Sequence, residues 1–106
     1  MMSGSPIPFE THLDKLREPV RSIMIDLRGY VKSLGTNVIE EVRPHRVVYA
    51  KTMNFRTFLD VEPAGDSLML SIRYGRAAPP ITATVRSAED AEDVKKQIIE
   101  AYEKIQ

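Results

Sequence analysis

Cysteine and tryptophan are both missing from the 106 residues. Without cysteine there are no disulfides, no thiolate metal sites and no cysteine nucleophile, which fits a reducing compartment. Long apolar runs are missing too: none approaches the ~18 residues of a transmembrane helix. The opening stretch, residues 1–9, has no charged-then-apolar signal pattern, so the expected location is cytoplasmic. Net charge is absent as well, with 15 basic and 15 acidic side chains. Non-specific affinity for nucleic acid rests on counterion release by many cations, so this balance argues against it. The two histidines, His12 and His45, have no second ligand at helical or zinc-knuckle spacing. No metal site is expected; His12 is expected in solvent and His45 at the start of a strand. A Gly-rich phosphate loop, a G-x-S-x-G elbow and a dinucleotide fingerprint are also lacking. The expectation is therefore a non-enzymatic protein with no cofactor.

What is present is an ordinary globular composition, 42% apolar and 28% charged, in a length that suits one domain. Charge is unevenly placed. Residues 1–42 carry −1, residues 43–86 carry +4 and residues 87–106 carry −3. Residues 1–10 are read as a disordered tail rich in Ser, Gly and Pro, and residues 11–106 as the single domain. Thr11 with Asp14 resembles a capping box. Apolar residues then recur at helical spacing through Leu13, Leu16, Val20, Ile23, Leu27 and Leu34. Pro19 must split or kink that helix, and Gly35 is expected to cap its end. Residues 36–42, TNVIEEV, read as one further helical turn, with Val38 and Val42 four apart. At the other end of the chain Ser87 is a natural N-cap, followed by four carboxylates in the first turns and by a stripe of Ala91, Val94, Ile98, Ala101, Tyr102 and Ile105.

Between the helices lie four expected strands. Residues 46–51 form the first. Residues 55–62 and 67–74 are joined by the loop Pro63-Ala64-Gly65-Asp66, and residues 81–86 form a short edge strand after GRAAPP. That loop places Val61 opposite Leu68, Leu59 opposite Leu70, Thr57 opposite Ile72 and Phe55 opposite Tyr74, an almost wholly apolar set. A loop at residues 52–54 would place Val47 opposite Leu59, Tyr49 opposite Thr57 and Arg46 opposite Asp60. The fold class is α+β, a two-layer sandwich. Its four-stranded antiparallel meander has N- and C-terminal helices packed on one face, in the order α, short α, β, β, β, β, α.

The segments VYAK (Val48 to Lys51), Asn54-Phe55, VEP (Val61 to Pro63), LMLSIRY and IIEAYEK (Ile98 to Lys104) resemble an uncharacterised prokaryotic domain family. Its members are often labelled "predicted transport protein" and occur alone or appended to nuclease-like domains. The likeness spans residues 20–104 and implies a standalone accessory domain. It departs in the loop after the third strand, where GRAAPP replaces a longer insert. The transport label has no support in a chain with no membrane-spanning segment.

On the face turned away from the helices, the same register sets Arg56 opposite Arg73, a like-charge pair that needs relief from solvent, a carboxylate or a bound anion. A merely solvated face is one reading, since isolated exposed apolar groups are common, and two binding surfaces are the others. One is a docking or homodimer surface with Val48, Phe58 and Met69 at its apolar centre, ringed by Arg46, Arg56, Asp60, Glu62 and Arg73. It is preferred, because mixed charge around an apolar centre suits a protein partner or a second copy. The other uses Arg56, Arg73 and Arg86 around Phe58 for nucleic acid or another polyanion. A remoter reading takes Asp60, Glu62 and Lys51 as a set like that of restriction-type nucleases, which hold a divalent ion. The E-x-K that would complete it is lacking, and pairing of Asp60 with Arg46 accounts for the same residues.

Overall fold

The structure is a computed structural model that describes residues 7–52, 56–75 and 77–105. The expected Phe55–Tyr74 pair and most of the 52–54 loop lie outside those residues. Helix α1 (Glu10–Leu13) is a single turn, α2 spans Val20–Lys32, and five strands follow: β1 (Val38–Val42), β2 (Val47–Lys51), β3 (Arg56–Pro63), β4 (Leu68–Ile72) and β5 (Ile81–Val85). Helix α3 (Ala88–Lys104) closes the chain. The strands form one antiparallel meander in the order β1-β2-β3-β4-β5. The fold is thus α+β as expected, with five strands in place of four.

Pro19 separates the two N-terminal helices and serves as the N-cap of α2. It carries no capping side chain. Its neighbour Glu18 does that work, since Glu18 Oε1 accepts from the Ser22 amide at 3.1 Å and the Ser22 hydroxyl at 2.7 Å. Those bonds hold the Glu18 carboxyl below its ordinary range. The expected Thr11 capping box does not form, because Phe9 is the N-cap and Thr11 lies inside α1. His12, expected in solvent, is buried, and its Nε2 donates to the Arg43 carbonyl at 2.7 Å. His45 is exposed in the β1–β2 turn.

The missing strand is β1, where a helical turn was expected. The spacing of Val38 and Val42 suits one helical turn, but it equally suits two positions on one face of a strand. In β1 those valines flank Glu40 on the helix side, and both pack against the core. Gly35 also differs from expectation. It is not a left-handed helix cap, and its lack of a side chain serves close approach instead: a Cβ there would run into the Tyr102 hydroxyl.

The β3–β4 register lies two residues from the expected one. Leu59 pairs with Ile72, Val61 with Leu70 and Pro63 with Leu68. The Ala64 amide donates to the Ser67 carbonyl at 2.9 Å, so only Gly65 and Asp66 turn the chain, with Gly65 at φ +80°. The preset φ of proline suggests a loop position for Pro63, but the ladder accommodates it. Since Ala64 and Ser67 form a hydrogen-bonded pair, Pro63 occupies the next, non-bonded position and needs no donor toward β4. A shift of two leaves every side chain on its own face, so Leu59, Val61, Leu68, Leu70 and Ile72 are all buried as expected.

The change with most consequence is a bulge. β2 pairs with β3 as Val47–Val61, Val48–Asp60 and Tyr49–Leu59, then slips to Ala50–Thr57 and Lys51–Arg56. Phe58 is the extra residue, and the alternation reverses across it. Phe58 and Leu59 therefore both enter the core at 0% exposure, while Thr57, expected inside, turns outward. Phe58 meets the Tyr102 ring edge-on at 5.4 Å. Burial of a side chain this size is worth about 1.5–3 kcal/mol.

Both long helices pack on the same side of the sheet, in one cluster with the strand residues. They run side by side in the same direction: Ile23 lies near Ala91, Asp26 pairs with Lys95 at 2.8 Å, and Asn37 just beyond α2 meets Tyr102. The α3 stripe is as read from sequence, and Ser87 Oγ accepts from the Asp90 amide at 3.1 Å. Among the described residues no helix is long and apolar enough to cross a membrane.

Candidate binding face of the sheet

The face away from the helices is built from alternate residues of all five strands: Ile39 and Glu41 of β1, Val48 and Ala50 of β2, Thr57, Asp60 and Glu62 of β3, Met69 and Ser71 of β4, and Thr82 and Thr84 of β5. Its central feature is Arg46, the residue just before β2. The guanidinium reaches Asp60 Oδ2 at 3.0 Å and Glu62 Oε1 at 3.4 Å. Arg46 therefore meets Asp60 as expected, but diagonally, because Val48 is the residue directly opposite Asp60. The Asp60 hydrogen bond, followed by the charges of Asp60 and Glu62, raises the Arg46 pKa further above its ordinary range.

Beside this network a depression of about 160 Å³ is lined by Ile39, Glu41, Arg43, Val48, Ala50 and Thr57. Pockets for drug-sized ligands or cofactors run to roughly 300–1,000 Å³. This one has room for a side chain, with apolar walls and one charge of each sign at its rim. Its β1 wall is hidden in the sequence by the helix-like spacing of Val38 and Val42, and Thr57 by the bulge, which leaves no mark in strict alternation.

The expected site residues divide. Arg46, Asp60, Glu62 and Met69 lie together on this face, and Met69 is 42% exposed with its sulfur accepting from the Thr84 hydroxyl at 3.3 Å. Val48 lies on the face but is buried by its neighbours. Phe58, expected at the centre, is beneath α3 because of the bulge. Arg56 and Arg73 do not oppose one another. Arg56 stands opposite Lys51, whose Nζ donates to the Ile105 carbonyl on the helix side, and the Arg73 amide bonds to Phe58. The register shift and the bulge together remove the like-charge pair. Arg86 lies past the end of β5, where its amide donates to Asp90 Oδ2 at 3.0 Å.

Lys51 also sits over the Tyr102 ring at 4.3 Å, on the side of the sheet opposite Asp60. The three nuclease-like side chains are thus not brought together. Among the described residues there is no group of three or more His, Asp or Glu placed to hold a metal ion.

A second charged cluster lies on the helix side at the β1 edge. Arg28 of α2 grips Glu40 through two bonds of 2.9 Å, Tyr49 donates its hydroxyl to the same carboxylate at 2.8 Å, and the guanidinium stacks 4.1 Å above Phe9. Burial pushes the Glu40 carboxyl up, but the Arg28 and Tyr49 bonds and the Arg28 charge outweigh it and hold the group below its ordinary range. Burial, then the neighbouring Glu40 charge, pushes the Tyr49 hydroxyl far up. Perturbed groups in a cleft suggest chemistry. Here both Glu40 oxygens are engaged by partners from two elements, α2 and β2, which is the arrangement of a structural clamp.

No protein-family model, no curated protein sequence and no solved structure matches the chain.

Proposed function

We propose that the protein is a small non-enzymatic interaction module that docks a protein partner on the helix-free face of its sheet. The observation that carries this is the Arg46–Asp60–Glu62 network beside a side-chain-sized apolar depression, with Met69 exposed on the same face. Charges of both signs around an apolar centre fit the polar rim and desolvated middle of a protein contact. The polyanion reading has less support, because Phe58 is not available for stacking and Arg56, Arg73 and Arg86 are dispersed over two faces and a strand end.

Affinity capture from a cell extract, with the wild-type protein and a Met69→Glu, Thr57→Glu variant as parallel baits, tests the proposal. A partner enriched by the wild type and lost from the variant is the expected outcome. Equal capture by both baits, or no enrichment over a blank support, would sink it. Titration with labelled single- and double-stranded oligonucleotides at low salt addresses the second reading, and binding there that vanishes in an Arg73→Ala, Arg86→Ala variant would replace the first.

A further inference from the structure

The outer edge of β5 is bare among the described residues, since the meander ends there. The direction of its backbone groups follows from the ladder. Ala64 with Ser67, and Phe58 with Arg73, are hydrogen-bonded pairs of the β3–β4 ladder. Alternation then turns the groups of Met69 and Ser71 toward β3, and those of Leu68, Leu70 and Ile72 toward Val85, Ala83 and Ile81 of β5. The amides and carbonyls of Thr82 and Thr84 are left pointing outward. Natural sheets blunt such an edge with lysine, proline or a bulge. β5 has none of these within it: its sequence is ITATV.

That sequence is nearly palindromic. Paired with itself in antiparallel fashion about Ala83, it sets Ile81 against Val85 and Thr82 against Thr84, twice over. The Thr82–Thr84 pairs are the hydrogen-bonded ones and supply four ladder bonds. The Ala83 pair on the twofold axis is of the non-bonded type, where side chains approach most closely, and alanine is the smallest residue of the strand. The ladder also has defined ends. Pro80 has no donor, and the Arg86 amide is already satisfied by Asp90. Charge does not oppose this geometry: β5 carries no charged side chain, so pairing it with itself sets no like charges opposite one another.

We propose that β5 is a homodimerisation edge: two copies pair their β5 strands about a twofold axis through Ala83 and join two five-stranded sheets into one continuous sheet. The pairing is isologous, so it closes at two copies and does not propagate. The inference does not depend on the open face being a docking surface, although a dimer would present two such faces side by side. A five-residue edge is small for an interface, so the dissociation constant is expected at about 10–100 µM.

The test combines sedimentation from about 1 µM to 1 mM, which spans that range, with amide hydrogen exchange at the two ends of the series. Expected are a shift from the 12.0 kDa monomer to a dimer and slower exchange at Thr82 and Thr84 at high concentration. Thr84→Pro removes an outward donor without touching the β4 ladder and should weaken the dimer about tenfold or more. Met69→Glu, on the open face, should leave it unchanged. The proposal is overturned by a monomer at every concentration, by a dimer whose Thr82 and Thr84 amides do not slow, or by a dimer that Met69→Glu abolishes and Thr84→Pro does not. If Thr84→Pro fails to fold, the exchange measurement on the wild type decides alone.

Discussion

β1 and β5 are the two outer strands of the same sheet, each five residues long, and they end it in opposite ways. β1 places Glu40 at its centre, and the molecule answers with Arg28 and Lys32 from α2 and with the Tyr49 hydroxyl. Pairing β1 with a second copy about Glu40 would set two carboxylates against each other. β5 carries no charge and is tied to the rest of the sheet mainly through the β4 ladder and the burial of Val85. A protected edge draws on side chains elsewhere in the chain, so damage to it costs stability. An unprotected edge draws on little, so damage to it costs only association.

The largest effect is expected at Glu40. Glu40→Gln keeps the volume and removes the charge, leaving the Arg28 guanidinium with a neutral partner under α2. Bonds to charged groups contribute about 1.5–3 kcal/mol each, so a loss of about 2 kcal/mol is expected in denaturant unfolding. The first amides to lose protection should be those of β1. A loss below about 0.5 kcal/mol, the level of an ordinary surface substitution, would show that solvent rather than the clamp satisfies these groups.

Gly35→Ala should follow, at about 1–3 kcal/mol, the usual cost of forcing atoms into a packed site. The new Cβ would displace the Tyr102 hydroxyl, which donates to Asn37 Oδ1 at 2.5 Å just before β1 begins. In a Tyr102→Phe background the same substitution should cost measurably less. An additive double-mutant cycle would mean that the strain lies elsewhere.

The acid limb of the stability curve sharpens the comparison further. The folded Glu40 carboxyl titrates below its unfolded value, which is about 4.3. Its contribution is therefore fully present above that value and is lost as pH falls through the lower folded one. Glu40→Gln should flatten this limb, whereas substitutions in β5 should leave it alone. An acid limb of equal slope in Glu40→Gln and wild type would remove Glu40 from the account.

The same contrast explains what could be read from the sequence. β5 and α3 were legible because period-two alternation, a serine N-cap and a helical stripe all agree there. β1 was not, because its inward middle position is a glutamate, and the arginine that makes this tolerable comes from α2, twelve residues earlier. Phe58 was misplaced for a related reason. A bulge obeys no period, and the only local trace is that Phe58 and Leu59 are adjacent apolar residues before Asp60. The Arg46–Asp60 contact survived the wrong register because a diagonal neighbour on the same face lies within reach of a long side chain.

The smallest effect is expected from a charge placed where the molecule has none. Thr82→Glu puts a carboxylate on an exposed position of β5, with its backbone groups already turned outward and the β4 ladder untouched. Global stability should change by no more than about 0.5 kcal/mol in unfolding measurements made at low, monomeric concentration. The resulting β5 would resemble β1 in carrying a carboxylate at its edge, but without an arginine to meet it. If Thr82→Glu instead destabilises the monomer as much as Glu40→Gln does, then β5 is held by side chains as β1 is, and the two edges do not differ in kind.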